Sequence, residues 1–412
     1  MNLSIVITII DWLLWIIIAT NVMYVLFFAL ASLLPKKSHH HSCVPSVASE
    51  QSSSAPFTLH PSTFLVLFPA YHEDAVILHS VKSFLQQDYP KDSYQVVVIS
   101  DHMMPETNEQ LSALPITLLQ PTFEHSSKAK ALQYAISSIL HQTSSIYDHV
   151  VILDADNLVG PDFLTRLNHI AIPNQAIQCH RTAKNADNDI AALDGISEEI
   201  NNSIFRKGHN RIGMSSALIG SGMCFDYNWF KDNVNHLDSA VEDRELEALL
   251  MKQGIHIHYA EDIHVLDEKV SNSDTFQRQR LRWMTGQVQA LFRMLPYIPK
   301  AIVTGNINYI DKTIQQALIP RSILLVLTPF LTLLSLLAFY LLPLPSYIFP
   351  LKWLILLIML VAAILIAIPA PLRTGALFGK ILTLPRLVWR MLKNLLNIKP
   401  SNKEFIHTTH QQ

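Results

Sequence analysis

The chain has 412 residues, half of them hydrophobic, and a positive mean hydropathy. This excludes an ordinary soluble enzyme, and the polar middle excludes a polytopic transporter. A formal net charge of −2 leaves no global field for nucleic acid as a partner. Cys43, Cys179 and Cys224 are odd in number and form no Cys-x-x-Cys pair, which argues against a disulfide framework or a cysteine zinc site and fits a reducing compartment.

Trp12–Leu34 is an apolar run long enough to cross a hydrocarbon core of ~30 Å as a helix. Its lysines, Lys36 and Lys37, follow the run, so residues 1–34 read as an uncleaved anchor and not as a signal peptide. Residues 35–61, rich in Ser, Pro and His, read as a flexible tether, with His39, His40 and His41 as solvated linker.

Residues 62–290 alternate between strands and helices. Thr63–Phe68 is a short apolar run ending at Pro69, as in a buried parallel strand. Val76–Gln86 has helical spacing, Tyr94–Ile99 and Ile116–Leu119 read as strands, Lys128–Leu140 as a helix, and His149–Leu153 as a fourth strand. The expected fold class is α/β with a mostly parallel sheet and its ligand site at the carboxyl edge. No Gly-x-Gly-x-x-Gly follows the first strand, so a nicotinamide site is not supported.

Residues 291–321 read as an interfacial segment. Residues 322–370 hold two further spans, Ser322–Leu342 and Leu351–Ala370, joined by a short proline-bearing turn. Lys36, Lys37, Lys312, Arg321, Arg373, Lys380 and Arg386 flank the spans on one side, which the positive-inside rule makes cytoplasmic. The expectation is a multi-pass protein of the cell membrane with its middle domain in the cytoplasm. Lys352, near the outer turn, is expected to snorkel. In residues 371–412, Leu384, Leu387, Val388, Met391, Leu392 and Leu395 form an apolar stripe opposite Arg386, Arg390 and Lys393, as in a helix lying along the membrane surface.

The chemistry collects at the strand ends. Asp154-Ala-Asp156 sets two carboxylates just past a buried strand, where Mg²⁺ or Mn²⁺ would share its shell with phosphate oxygens. Glu242-Asp243 opens the predicted helix Glu242–Lys252. Gln279, Arg282 and Trp283 share a helical face that offers an amide, a guanidinium for phosphate and an indole plane for a sugar ring.

Asp101, Asp154-x-Asp156, Glu242-Asp243 and Gln279-x-x-Arg282-Trp283 occur in the order found in membrane-bound family 2 glycosyltransferases. The chain resembles the branch with cellulose, hyaluronan and poly-N-acetylglucosamine synthases and ceramide glucosyltransferase. Pro69-Ala-Tyr71-His-Glu73 resembles that family's Pro-x-Tyr-Asn-Glu start, Ser127-Lys128-Ala129 its Gly-Lys-Ala segment, and Gly220-Ser-Gly222-Met223 its small-residue turn near the acceptor. His72, Ser127 and Ser100 depart from the family pattern around the nucleotide.

The resemblance implies a GT-A fold and an inverting transfer from a nucleotide sugar, most simply a UDP-sugar, to a polysaccharide or lipid acceptor. It implies that Tyr71, Glu73, Asp101 and Lys128 hold the nucleoside and that Asp154 and Asp156 engage metal and diphosphate. Asp243 would be the general base, Arg282 would steady the leaving diphosphate, and Gln279, Trp283, Gly222 and Glu242 would face the acceptor. The partners it implies are the donor, the acceptor and membrane lipids, with room for a membrane partner subunit and no nucleic acid. Phe405, Thr408 and His410 are similar to the family's Phe-x-Val-Thr-x-Lys gating loop. A nucleotidyltransferase would carry a Gly-rich, Arg-bearing loop after the first strand, which is not present; a non-catalytic scaffold would have lost an acidic element, and none is lost.

Overall fold

Strand residues 64–68 are fully buried on both faces, and their alternation divides them between two cores. Leu65 and Leu67 face one core with Leu132, Ala135 and Ile136; Phe64, Val66 and Phe68 face the other with Ile77, Val81 and Phe163. The computed structural model describes residues 3–36, 61–142, 147–186, 188–239, 241–270, 273–341 and 349–373. Most of the tether with His39, His40, His41 and Cys43, the apolar stripe near the C-terminus, and Phe405, Thr408 and His410 lie outside the described residues.

In chain order the elements begin with helix α1 (Leu3–Ala31), strand β1 (Phe64–Tyr71), α2 (Ile77–Phe84), β2 (Tyr94–Asp101), α3 (Pro105–Ser112) and β3 (Thr117–Leu119). Next come α4 (Lys128–Gln142), β4 (His149–Ile152), β5 (Leu158–Val159), α5 (Phe163–Ile170) and β6 (Ala176–Ala183). Helix α6 (Asp189–Asn201) runs through a π-helical turn (Asn202–Gly208) into α7 (His209–Arg211). β7 (Met223–Asp226), α8 (Tyr227–Asn233), α9 (Glu242–Lys252) and β8 (Ile257–Asp267) complete the sheet region. Among the described residues five α-helices follow: α10 (Ser273–Met294), α11 (Ile298–Val303), α12 (Ile307–Ala317), α13 (Arg321–Leu341) and α14 (Phe349–Ala367).

The strands form one sheet in the order β3-β2-β1-β4-β7-β6-β8-β5. The first half is parallel, as its apolar runs predict. The second half is mixed: β7 lies antiparallel between β4 and β6, and β5 is antiparallel to β8. An antiparallel strand at that point lets the Gly220-Ser-Gly222 turn return to the carboxyl end of β4, beside Asp154.

α1, α13 and α14 are long and apolar enough to cross a membrane. Ile18, Val22, Leu324, Leu356 and Leu360 are buried among them, while Ile9, Leu13, Ile16, Phe330 and Leu333 are exposed, as lipid-facing side chains would be. Lys352 corrects the snorkelling expectation. It is buried, paired with Asp11 of α1, and lies 3.7 Å from the Trp12 ring centroid; Trp353 Nε1 donates to the other Asp11 oxygen at 2.7 Å. A partnered charge has no need of the interface.

Candidate active site

The carboxyl edge of the sheet opens into a cavity of ≈ 580 Å³. Tyr71 and Asp101, side by side at the ends of β1 and β2, line one end together with Glu73. Lys128, Asp154 and Asp156 line its middle, Glu242 and Asp243 come in from α9, and Gln279, Arg282 and Trp283 come in from α10. Every one of these was singled out in the sequence. Gly222 is the exception. At φ +64 it turns the chain into β7, and an added Cβ would lie 2.9 Å from Val265 Cγ2 and 3.3 Å from Cys179 Cβ, so it packs beneath the site and does not line it. Gly220 (φ +81) is the glycine at the cavity.

Lys128, first residue of α4, is the hub. Its ammonium pairs with Asp154, donates to Gly220 O at 2.6 Å and lies 3.5 Å from Glu242 Oε1. Burial alone would lower its pKa, but Asp154 and Glu242 raise it, so it stays charged. It therefore joins the Asp-x-Asp turn to the Glu-Asp pair. Burial, with help from the Asp243 charge, pushes Glu242 up to about 7 against the pull of Lys128. Asp243 faces the cavity, with Oδ1 accepting from Arg244 N at 2.8 Å. Arg244 in turn donates to Gln316 of α12, which fixes the start of α9.

The two Asp-x-Asp carboxylates differ. Asp156 is buried, with Oδ1 accepting from Asn157 Nδ2 at 3.1 Å and Oδ2 from Glu268 N at 2.8 Å. Asp154 is more open and gives one oxygen to Lys128. Among the described residues no three Asp, Glu, His or Cys side chains gather closely enough to hold a metal unaided. Two carboxylates at one turn still fit a hard cation whose remaining ligands come from diphosphate and water. Asp101, also buried, has its Oδ1 2.6 Å from His102 Nδ1. His72 and His102 both hold left-handed backbone (φ 53 and 54) at the ends of their strands.

On α10, Gln279 Oε1 is buried without a hydrogen-bond partner among the described residues. Trp283 has Arg280 over its ring at 4.7 Å from the centroid, and Arg280 pairs with Asp194. The sequence reading missed several lining groups. Arg181 Nη2 meets Glu198 at 3.1 Å, Arg206 Nη1 meets Glu198 at 3.1 Å, and Lys269 Nζ meets Asp267 at 2.7 Å, forming a charged floor. Lys269 and Arg181 hold Asp267 below the ordinary carboxylate range despite its burial. These residues carry no local motif, since their partners come from β6, α6 and β8. Gly286 was also missed: a Cβ there would lie 2.4 Å from Val241 Cγ1, so this glycine lets α10 approach the start of α9. A mid-helix glycine three positions after Trp283 was the available signal.

A family model described as "Glycosyl transferase family group 2" matches residues 149–366, over half of the chain, and one described as "Glycosyl transferase family 2" matches residues 65–230. The chain belongs to glycosyl transferase family group 2. No curated protein matches it. Among solved structures, this glycosyltransferase is similar to a mannosyltransferase, PcManGT from Pyrobaculum calidifontis, in complex with GDP-Man and Mn²⁺. Identity is 16%, over 75% of this chain and 86% of that one, with a TM-score of 0.46. It is also similar to S. aureus TarS 1-349 in complex with UDP (16%, 57% and 65%, TM-score 0.37). A third is glucosyl-3-phosphoglycerate synthase from Mycobacterium tuberculosis with Mn²⁺, UDP and phosphoglyceric acid (16%, 52% and 73%, TM-score 0.36). The fold of the glycosyltransferase is α/β, with one mixed eight-stranded sheet among the described residues.

Proposed function

We propose that this glycosyltransferase is a membrane-bound inverting enzyme of the polysaccharide- and glycolipid-synthase branch, transferring a hexosyl or N-acetylhexosaminyl group from a UDP-sugar to an acceptor hydroxyl. The observation that carries the reading is the convergence of Asp154, Asp156, Asp243, Gln279, Arg282 and Trp283 on one cavity. In this reading residues 62–290 are the catalytic domain, and the basic flanks of the three spans support its position on the cytoplasmic face.

In this reading Tyr71, Glu73 and Asp101 bind the nucleoside at the sheet edge, while Lys128 and Arg282 offer cations to the diphosphate. Asp154 and Asp156 would hold Mg²⁺ or Mn²⁺, which when bound offsets charge on the leaving diphosphate. Asp243 takes the proton of the acceptor hydroxyl as its oxygen attacks the anomeric carbon. The new glycosidic bond forms as the bond to the diphosphate breaks, and the diphosphate leaves with the electron pair. Gln279 and Trp283 orient the acceptor, with Glu242 beside the base. Attack from the far side inverts the anomeric centre.

The test is product analysis with membranes containing the protein and a panel of labelled UDP- and GDP-sugars. Sugar incorporation from a UDP-sugar, lost on Asp243→Asn, is the expected result. Pyrophosphate release from nucleoside triphosphates, or no turnover of any donor, would sink the reading in favour of a nucleotidyltransferase or a scaffold.

A further inference from the structure

Part of the cavity wall is apolar and is not used by the donor chemistry. Val25 of α1, Leu325 of α13, Ile364 of α14 and Ile368, one residue past its end, line it, and all three helices are apolar enough to cross a membrane. One continuous space therefore runs from Asp243 to a wall made by the membrane helices. A sugar chain or a soluble acceptor offers nothing to such a wall, whereas a hydrocarbon tail does.

The same helices leave little room for a polymer to pass between them. Ala29 of α1 and Ala363 and Ala367 of α14 are fully buried at the contact of those two helices, and Leu324, Trp353, Leu356 and Leu360 close the contact with α13. Among the described residues the spans are packed on one another, and the apolar wall stops at the cavity.

Arg321 lies one helical turn before Leu325. It begins α13 and lines the cavity. Its Nη2 donates to Ser197 O at 3.0 Å, Ser197 Oγ at 3.3 Å and Asn201 Oδ1 at 2.7 Å, all neutral groups. Among the described residues no carboxylate lies within ion-pair distance of it. A guanidinium at the head-group end of a span with neutral partners only is suited to a ligand's negative charge.

We infer that the acceptor is a hydroxyl-bearing anionic phospholipid. Its chains lie against Val25, Leu325, Ile364 and Ile368, its phosphate meets Arg321, and its head-group hydroxyl reaches Asp243. The inference rests on the transferase reading and selects the lipid over the polysaccharide as acceptor.

The full-length protein is reconstituted in vesicles of phosphatidylcholine alone, or with added phosphatidylglycerol, phosphatidylinositol or neutral diacylglycerol, and given labelled UDP-sugars. The expected product is organic-soluble label from the anionic, hydroxyl-bearing vesicles. Arg321→Gln should raise the KM for the lipid roughly tenfold or more with the donor KM unchanged, and Arg321→Lys should recover part of the loss. Ile364→Trp should block lipid transfer while UDP binding, measured in parallel, confirms that the protein is folded. Label in a water-soluble polymer, or equal transfer to diacylglycerol and phosphatidylglycerol, overturns the inference and leaves the transferase intact. No transfer from any donor to any lipid or added sugar overturns the transferase reading, and the inference falls with it.

Discussion

The polar cluster around Lys128 is half-buried and the one around His209 is buried, and each joins elements far apart in the chain. At His209 both ring nitrogens have partners. Its ring stacks on Phe28 of α1 with centroids 3.5 Å apart and planes 4° from parallel, Nε2 lies 3.1 Å from Tyr24 Oη and 3.2 Å from Asp311 Oδ2, and Nδ1 lies 2.8 Å from Ile204 O. No part of His209 reaches solvent. At Lys128 the partners are acids that also face the cavity, and Glu242 is held near neutrality with a pKa of about 7. A satisfied network rigidifies; one opened to a cavity has groups left for a ligand. The first bolts the sheet domain to α1, and the second is equipped for chemistry.

Changes at the open cluster should alter turnover and spare the fold. The largest effect is expected from the metal site: chelation, or Asp156→Ala, should abolish sugar transfer, restored after chelation by added Mg²⁺ or Mn²⁺. Full activity in excess chelator would show that the two carboxylates serve another purpose. Asp243→Asn comes next, with kcat lowered roughly 10²–10⁴-fold and donor binding nearly unchanged. Near-normal turnover at equal expression would remove Asp243 from the role of base.

Gly286→Ala tests whether helix spacing sets the geometry. The new Cβ would push α10 away from Val241 and so separate Trp283 and Gln279 from Asp243, lowering kcat about tenfold to a hundredfold. An unchanged kcat would mean that the two helices relax independently. At the closed cluster the outcome should be reversed. In Gly208→Ala the Cβ would lie 2.3 Å from the Phe28 carbonyl oxygen, a backbone atom that cannot swing aside. The expected loss is about 1–3 kcal/mol of stability, read as a lower thermal midpoint in detergent, with donor affinity retained below that midpoint.

The smallest effect concerns pH. Below about 7 Glu242 is neutral, and above it the carboxylate adds a negative charge beside Lys128, which is proposed to meet the diphosphate. The donor KM should therefore rise as pH increases through that value, and Glu242→Gln should flatten the rise. A persisting inflection in Glu242→Gln would assign it to another group.

Much of this was legible in the sequence because it is local. A buried strand is an apolar run, and β1, β2 and β4 fall where those runs lie. An acidic pair is stabilised at a helix N-terminus, and α9 starts at Glu242 as expected. The three apolar helices fall where hydropathy set them, with α1 extending N-terminal to Asp11, which pairs with Lys352.

Other features depend on pairings that local patterns do not encode. Asp11 and Lys352 are 341 positions apart, and each alone reads as a reason to leave the membrane. The antiparallel insertion of β7 between β4 and β6 is a choice among sheet orders, and a four-residue apolar strand carries no mark of its direction. Lys128 read as a nucleoside contact, yet the fold sets it between Asp154 and Glu242, which arrive from two separate elements. The sequence by itself determined which residues could do chemistry, since residue type and helical or strand period are local properties. The tertiary structure alone decided that they share one cavity, that Gly222 lies beneath it, and that part of its wall comes from the long apolar helices. Those facts follow from which distant surfaces pack together, and close packing is a property of the whole chain.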